Sequence, residues 1–307
     1  MAIPTFQEVM LPILKFVADG KTHTIKDCVE HIEQMFNLSE EEKQERLPSG
    51  RQRTIYNRVT WAITHTKKAG LLESREKRGY FGITETGSKL LSENPQTVNM
   101  KLLQNYASYR SFQNSEKQVT DSKSESTLLE DSDKTPEEIM GALSTQLNLQ
   151  LANDILEEIS INSPDFFENL VVDLLLKMGY GGLDGSGEVT KKSNDGGIDG
   201  IIKQDELGLD VIYVQAKKWD KSTAISRPEI QKFAGALLGE GATKGVFITT
   251  ARFSSSAIDY AKSVPNTKVV LIDGLMLAKL MIKHNLGVST NNVIQIKKID
   301  TDYFEEQ

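Results

Sequence analysis

A single cysteine in 307 residues, Cys28, excludes an intrachain disulfide and any cysteine-rich zinc site. The four histidines, His23, His31, His65 and His284, form no His-x-x-x-His pair or other close ligand spacing, which argues against zinc chemistry. No apolar run is long enough to cross a membrane, and the opening MAIPTFQEVM lacks a basic segment followed by a hydrophobic one. The chain is therefore expected to be soluble and cytoplasmic. Cys28 lies in an amphipathic helical pattern and is expected to be a buried thiol. A net positive charge is also lacking: 36 Lys and Arg stand against 43 Asp and Glu, and the net charge of −7 counts against nucleic-acid binding by the chain as a whole.

Distribution matters more than the sum. Between Arg51 and Tyr80 stand eight basic residues (Arg51, Arg53, Arg58, Lys67, Lys68, Arg75, Lys77, Arg78) against two acids, Glu73 and Glu76. The acid excess lies elsewhere, notably in residues 39–45 and 121–138. SFQNSEKQVTDSKSESTLLEDSDKTPEE, from Ser111 to Glu138, is polar and poor in large apolar residues. Such a stretch buries too little surface to offset its ordering entropy and reads as a flexible linker. The spacing thus predicts a first domain over 1–105, a linker over 106–138 and a second domain over 139–307.

In the first domain the pattern is helix, helix, helix, hairpin, helix. FQEVMLPILKFVADG stops at Gly20, and TIKDCVEHIEQMFNLS has Thr24 as its expected N-cap. A third helix carries Ile55, Val59, Ala62 and Ile63 at helical spacing and stops at Gly70. LLESREKRGYFGIT then reads as two short strands around a basic turn. This order resembles an α+β winged-helix domain, whose third helix enters the major groove while the wing touches the backbone. The resemblance implies that Arg51, Arg53, Arg58, Lys67 and Lys68 serve phosphates, with Lys77 and Arg78 on the wing. The same basic face would also suit a protein-interaction module.

In the second domain, DGGIDGIIKQDELGLDVIYVQAKKW (Asp195 to Trp219) reads as two strands joined by a polar turn. A turn centred near Leu207 sets Asp199 opposite Gln215. Side chains alternate along a strand, so Gln215 and Lys217 share a face and Ala216 points away. An acid, an amide oxygen and an ammonium in one patch suit a metal-dependent phosphodiesterase. A plain turn followed by a solvated strand-end lysine is the alternative. Upstream, the helix from Pro164 to Met178 puts Glu168 in the arc of Val171, Val172 and Leu175. A lone carboxylate there is costly unless a metal or its water shell compensates it, although an acid near a helix N-terminus is also favoured by the dipole. SRPEIQKFAGALLGE opens with the capping-box pattern Ser226 and Glu229, and Gln231 one turn on could face the same patch or plain solvent. KGVFITT and TKVVLIDG are strands around the helix SSSAIDYAKS, which implies a mixed α/β sheet flanked by helices.

Asp199 with Gln215-x-Lys217 on this hairpin resembles the PD-(D/E)XK nucleases, in the branch of the Mrr-type, modification-dependent (type IV) restriction endonucleases. PDFFENLVVDLLLKMGYGG, GVFITTARFSSSA and VVLIDG extend the resemblance over about residues 150–285, and the flanking segments extend it over nearly the whole chain. It implies a restriction-endonuclease-like fold and Mg²⁺-dependent cleavage of foreign, methylated double-stranded DNA. Asp199, Gln215 and Glu168 would be metal ligands, with Lys217 completing the catalytic set and Gln231 an accessory group. Cutting two strands with one site per chain implies a homodimer or higher homo-oligomer, nucleoid-associated when on DNA. Two other functions remain open, a winged-helix regulator with a silent nuclease-like domain and a structure-selective nuclease of branched or damaged DNA.

Overall fold

The computed structural model describes residues 3–75, 79–117, 133–182, 187–189, 197–297, 299 and 303. Lys77, Arg78 and residues 118–132 of the expected linker lie outside them. The chain divides into two compact units, Met1–Gln146 and Leu147–Gln307.

The first unit runs α1 (Met10–Phe16), α2 (Ile25–Met35), α3 (Glu40–Gln44), α4 (Thr54–Lys68), β1 (Leu72–Ser74), β2 (Phe81–Ile83), α5 (Glu85–Ser92), α6 (Met100–Leu103) and α7 (Ala107–Lys117). The expected order is present with the short α3 inserted before the basic helix. Thr24 caps α2 through a reciprocal box with Asp27, so two orphan amide groups of the first turn are satisfied locally. Ile55, Val59, Ala62 and Ile63 of α4 are all buried, packed with Ile13, Leu14, Val29, Ile32 and Phe81. Cys28 is fully buried there, and burial pushes its thiol up to about 12. Paired backbone hydrogen bonds between His23 and Phe81, 2.9 and 3.0 Å, tie the hairpin to the chain before α2.

The linker expectation meets a different arrangement at both of its ends. Residues 107–117 are helical, and Tyr109 is fully buried with its hydroxyl 2.8 Å from His65 Nδ1. At the other end, Thr135 is buried and donates to Asn57 Oδ1 at 2.6 Å. Glu137 accepts from Trp61 Nε1 at 2.7 Å, and Glu138 accepts from Arg58 Nε and Nη2 at 3.0 and 2.6 Å. Composition could not reveal this. The acids that make the stretch look solvated are matched by partners on α4, some 80 residues away in sequence.

His65 gives this unit a pH dependence. It is buried, and desolvation lowers its pKa from 6.5 to about 4. Above pH 6.5 the imidazole is neutral in both the folded and unfolded chain. As pH falls, the unfolded chain takes up the proton first and the folded one only near 4. Stability therefore drops through the window between these two values and levels off below it, by about 3 kcal/mol for a shift of this size. Urea titrations at pH 7.5 and 4.5 should show His65→Phe losing less stability than wild type by roughly that amount. Equal losses would show that His65 stays solvated.

A long helix, α8 (Pro136–Ile161), spans the division between the units, and its later turns bury Ala152, Ile155 and Ile159. The second unit continues with α9 (Pro164–Lys177), β3 (Gly187–Val189), β4 (Gly200–Lys203), β5 (Val211–Lys217), β6 (Ala224–Ile225), α10 (Arg227–Gly239), β7 (Lys244–Thr249), β8 (Arg252–Phe253), α11 (Ser255–Ser263), β9 (Lys268–Ile272) and α12 (Gly274–Lys283). Five strands form one sheet in the order β3-β4-β5-β7-β9. β3, β4 and β5 are antiparallel, while β5, β7 and β9 are parallel, each joined to the next through a helix. Strand β5 alternates between two cores. Ile212, Val214 and Ala216 pack with Phe167, Val171 and Leu174 of α9 and Leu277 of α12. Tyr213 packs on the opposite side with Phe233 of α10, Phe247 and Ala257 of α11.

The capping box expected at Ser226 does not form. Ser226 stands at the N-cap of α10, but its hydroxyl makes no cap bond. The Glu229 amide goes to the Ser226 carbonyl at 3.1 Å instead, and its carboxylate goes to Lys232 Nζ at 2.8 Å. A lysine one turn on competes for the carboxylate that a box would need.

Candidate active site

The β4–β5 register is Gly200 with Val214, Ile201 with Tyr213, Ile202 with Ile212 and Lys203 with Val211. One step further sets Asp199 opposite Gln215, with the turn centred on residue 207. Asp199 is held there at both ends. Its amide donates to Val214 O at 2.8 Å, and its Oδ2 accepts from Ala216 N at 2.7 Å. Burial raises the Asp199 carboxyl above its usual range, while the Ala216 amide and the Lys217 ammonium pull against the rise.

Gln215 faces the opposite side of β5 from Ala216 and is 6% exposed. Its Oε1 is buried and has no hydrogen-bond partner, the one such side-chain atom among the described residues. Its Nε2 lies against Gly197, where an added Cβ would come within 2.4 Å. Gly197 also has φ +102°, a backbone conformation that calls for glycine, and any side chain there would have to displace the Gln215 amide. An orphaned amide oxygen costs about 1–3 kcal/mol when nothing compensates it. A hard cation would satisfy it and would stabilise the ionised form of the desolvated carboxylate opposite. The donor set therefore fits a divalent metal. It does not contain a group of three or more His, Cys, Asp or Glu, and none occurs among the described residues.

The remaining candidates are placed as follows. Lys217 ends β5 on the Gln215 side, half-buried, with its carbonyl bonded by Thr249 Oγ1 at 2.7 Å. Glu168 is half-buried on α9, beside Phe167 and on the arc of Val171, Val172 and Leu175, and α9 packs on the Ile212, Val214 and Ala216 face of β5, the face away from Gln215. Gln231 is exposed on α10. In the first unit Arg53 pairs with Glu33 at 2.9 Å and caps the Lys43 carbonyl. Arg58 is 16% exposed and spends its donors on Glu138 and on the Ile3 and Pro4 carbonyls. These two arginines hold the unit together, which basic spacing alone does not disclose. Arg51 and Lys68 are exposed, and Lys67 lies over the Phe81 ring at 4.7 Å, its ammonium pKa lowered by burial. Lys67, Lys68 and Arg75 line a cavity of about 1000 Å³ with β1, β2 and the start of α5.

Residues 159–281 match the family Mrr_cat, described as restriction endonuclease, and residues 6–93 match the Mrr N-terminal domain. The type IV methyl-directed restriction enzyme EcoKMrr of Escherichia coli K12 is 34% identical over 311 residues, covering 99% of this chain and 100% of that protein. The chain belongs to the Mrr restriction endonuclease family. Family membership makes it a DNA endonuclease and implies a divalent metal. Among solved structures, the DNA modification-dependent restriction endonuclease AspBHI is 17% identical over 46% of this chain, with a TM-score of 0.37. The MspJI restriction endonuclease in complex with a 27-mer oligonucleotide is 23% identical over 50% of this chain, with a TM-score of 0.28. The chain spans 36% and 34% of those two proteins, against the whole length of EcoKMrr. No helix among the described residues is long and apolar enough to cross a membrane.

Two groups beside Asp199 and Gln215 carry little or no signal in the sequence. Gly197 lies against Gln215 Nε2, and the DGG run is its one signal in the sequence. The Ala216 amide orients Asp199, and a backbone donor carries no sequence signal at all.

Proposed function

We propose that this chain is a Mg²⁺-dependent endonuclease that cuts double-stranded DNA carrying foreign methylation, acting in the cytoplasm as a homodimer or larger assembly. The observation that carries the reading is Gln215 Oε1, buried and unbonded, on the strand position opposite a carboxylate raised by burial. Asp199 and Gln215 would hold the ion, with Glu168 adding a direct or water-mediated ligand. A bound Mg²⁺ would polarise the phosphate and lower the pKa of a water.

The chain's own groups supply the rest. Ala216 N fixes the Oδ2 oxygen of Asp199. The missing Cβ of Gly197 leaves the space that the Gln215 amide occupies. Lys217, on the Gln215 face, would orient the attacking water or donate to the phosphoryl oxygens as their charge grows, the interaction that dominates phosphoryl transfer. An amide where most relatives of the wider superfamily carry a carboxylate removes one negative charge and should weaken metal affinity. In the first unit, Arg51, Lys67 and Lys68, with Lys77 and Arg78, would meet phosphates, and Arg53 and Arg58 would not.

The methylated substrate is taken from EcoKMrr, whose name describes it as methyl-directed. Supercoiled plasmid with and without base methylation, incubated with Mg²⁺ or with a chelator, tests the proposal. Linearisation is expected only with methylation and Mg²⁺ together. Equal cutting of both plasmids would remove the methylation requirement, and cutting in chelator would remove the metal.

A further inference from the structure

Two of the arginines that basic spacing brings forward in the first unit, Arg53 and Arg58, are engaged by internal partners, whereas Lys221, Arg227 and Arg252 of the second unit make at most one long hydrogen bond among the described residues. Strands β6 and β8 form a small parallel ribbon of their own, with Ala224 beside Arg252 and Ile225 beside Phe253. They follow β5 and β7 directly, and those strands are themselves parallel neighbours ending at Lys217 and Thr249. The ribbon therefore lies off the end of the sheet where Lys217 sits.

Several bonds fix it there. Trp219 N donates to Thr250 Oγ1 at 2.9 Å, Arg252 N to Thr223 O at 3.2 Å, and Ser254 N to Ile225 O at 3.0 Å. Lys221, Arg227 and Arg252 are all exposed on this ribbon and its flanks. The Arg227 guanidinium lies 5.0 Å over the Tyr260 ring of α11 and has no hydrogen bond or ion pair among the described residues. Arg252 makes one long bond, 3.5 Å to Ser222 O. The neighbouring acids are taken up locally. Asp220 accepts from Ser222 N and Oγ at 2.8 and 2.5 Å, and Glu229 pairs with Lys232 at 2.8 Å.

An edge tied by backbone bonds, with guanidinium donors largely unengaged among the described residues and acids that are hydrogen-bonded locally, suits a polyanion with phosphates at regular spacing. We propose that the β6–β8 ribbon is a DNA-backbone contact in the catalytic unit, in which Lys221, Arg227 and Arg252 grip phosphates beside the one being cut. This rests on the nuclease reading of Asp199 and Lys217, and it adds a binding surface that the winged-helix unit does not provide. The ribbon holds the duplex at the site where hydrolysis occurs, so its loss falls on substrate affinity and not on the chemical step.

The test uses the full chain and a duplex DNA that wild type cleaves. For Lys221→Ala with Arg227→Ala and Arg252→Ala, KM should rise roughly 10- to 100-fold while kcat stays within about a factor of two, and the slope of log affinity against log salt should fall by about 2–3, one step per phosphate contact. Arg227→Lys with Arg252→Lys should restore most of the salt slope. Should the triple variant melt early, Lys221→Glu with Arg252→Glu replaces it, since both side chains are exposed and Arg227 stays on Tyr260. An unchanged KM and salt slope in an active enzyme would overturn the ribbon. A wild type that never cleaves, but whose salt slope falls in the variants, would leave the ribbon standing and remove the nuclease reading instead.

Discussion

Asp199→Ala should bring DNA cleavage to background while leaving DNA affinity within about twofold of wild type. The carboxylate is the anionic group that the register sets opposite Gln215, and a divalent ion with only an amide oxygen from β5 loses most of its attraction to the site. Alanine also strands the Ala216 amide that now donates to Asp199 Oδ2, a cost of about 1–3 kcal/mol, partly offset by removing a desolvated charge. Asp199→Asn separates the two effects, because an amide oxygen can still accept from Ala216 N while the negative charge is gone. Both variants should be inactive and fail to bind Mg²⁺ by calorimetry, and the asparagine variant should melt close to wild type. Near-normal nicking by Asp199→Asn in Mg²⁺ would mean that the ion sits elsewhere.

The largest effect on stability is expected from Glu138→Ala. Its carboxylate is 11% exposed and takes two bonds from Arg58, itself 16% exposed, so alanine leaves a nearly buried guanidinium without its counter-charge. Breaking one side of such a pair costs about 3–5 kcal/mol, well above the worth of a surface salt bridge. Glu138 also closes the first turn of α8 by accepting from Thr135 N at 2.8 Å, so the helix start should fray with it. Urea unfolding of the first unit's transition gives the number. Replacing both Arg58 and Glu138 by methionine should recover most of the loss, since no unpaired charge remains. A loss below about 0.5 kcal/mol for the single variant would place this pair in solvent. By the same contacts, a fragment cut at residue 105 discards Tyr109, Thr135, Glu137 and Glu138 and should be less stable than one ending at 146.

The sequence by itself determined what depends on local periodicity. Alternation along Ile198–Lys203 and Val211–Ala216, with a turn of fixed length, set Asp199 opposite Gln215, because antiparallel register follows from the turn once one face is buried. Helical spacing put Ile55, Val59, Ala62 and Ile63 in one core and Glu168 on the buried arc of α9. Cys28 was legible as a buried thiol for the same reason. Family membership was readable from the ordered set of motifs.

Only the tertiary structure decided which charges are available. Arg58 and Arg227 look alike in sequence. One meets Glu138, 80 positions away, while the other lies on a tyrosine ring with no hydrogen bond or ion pair among the described residues. Ion pairing is a property of side chains brought together by packing, and no local pattern encodes it. The same holds for the unbonded Gln215 oxygen, for Gly197 pressed against that amide, and for the ribbon that pairs residue 224 with residue 252. Local patterns fix which face of a strand or helix is buried, and long-range contacts fix what each buried or exposed group has left to offer a ligand.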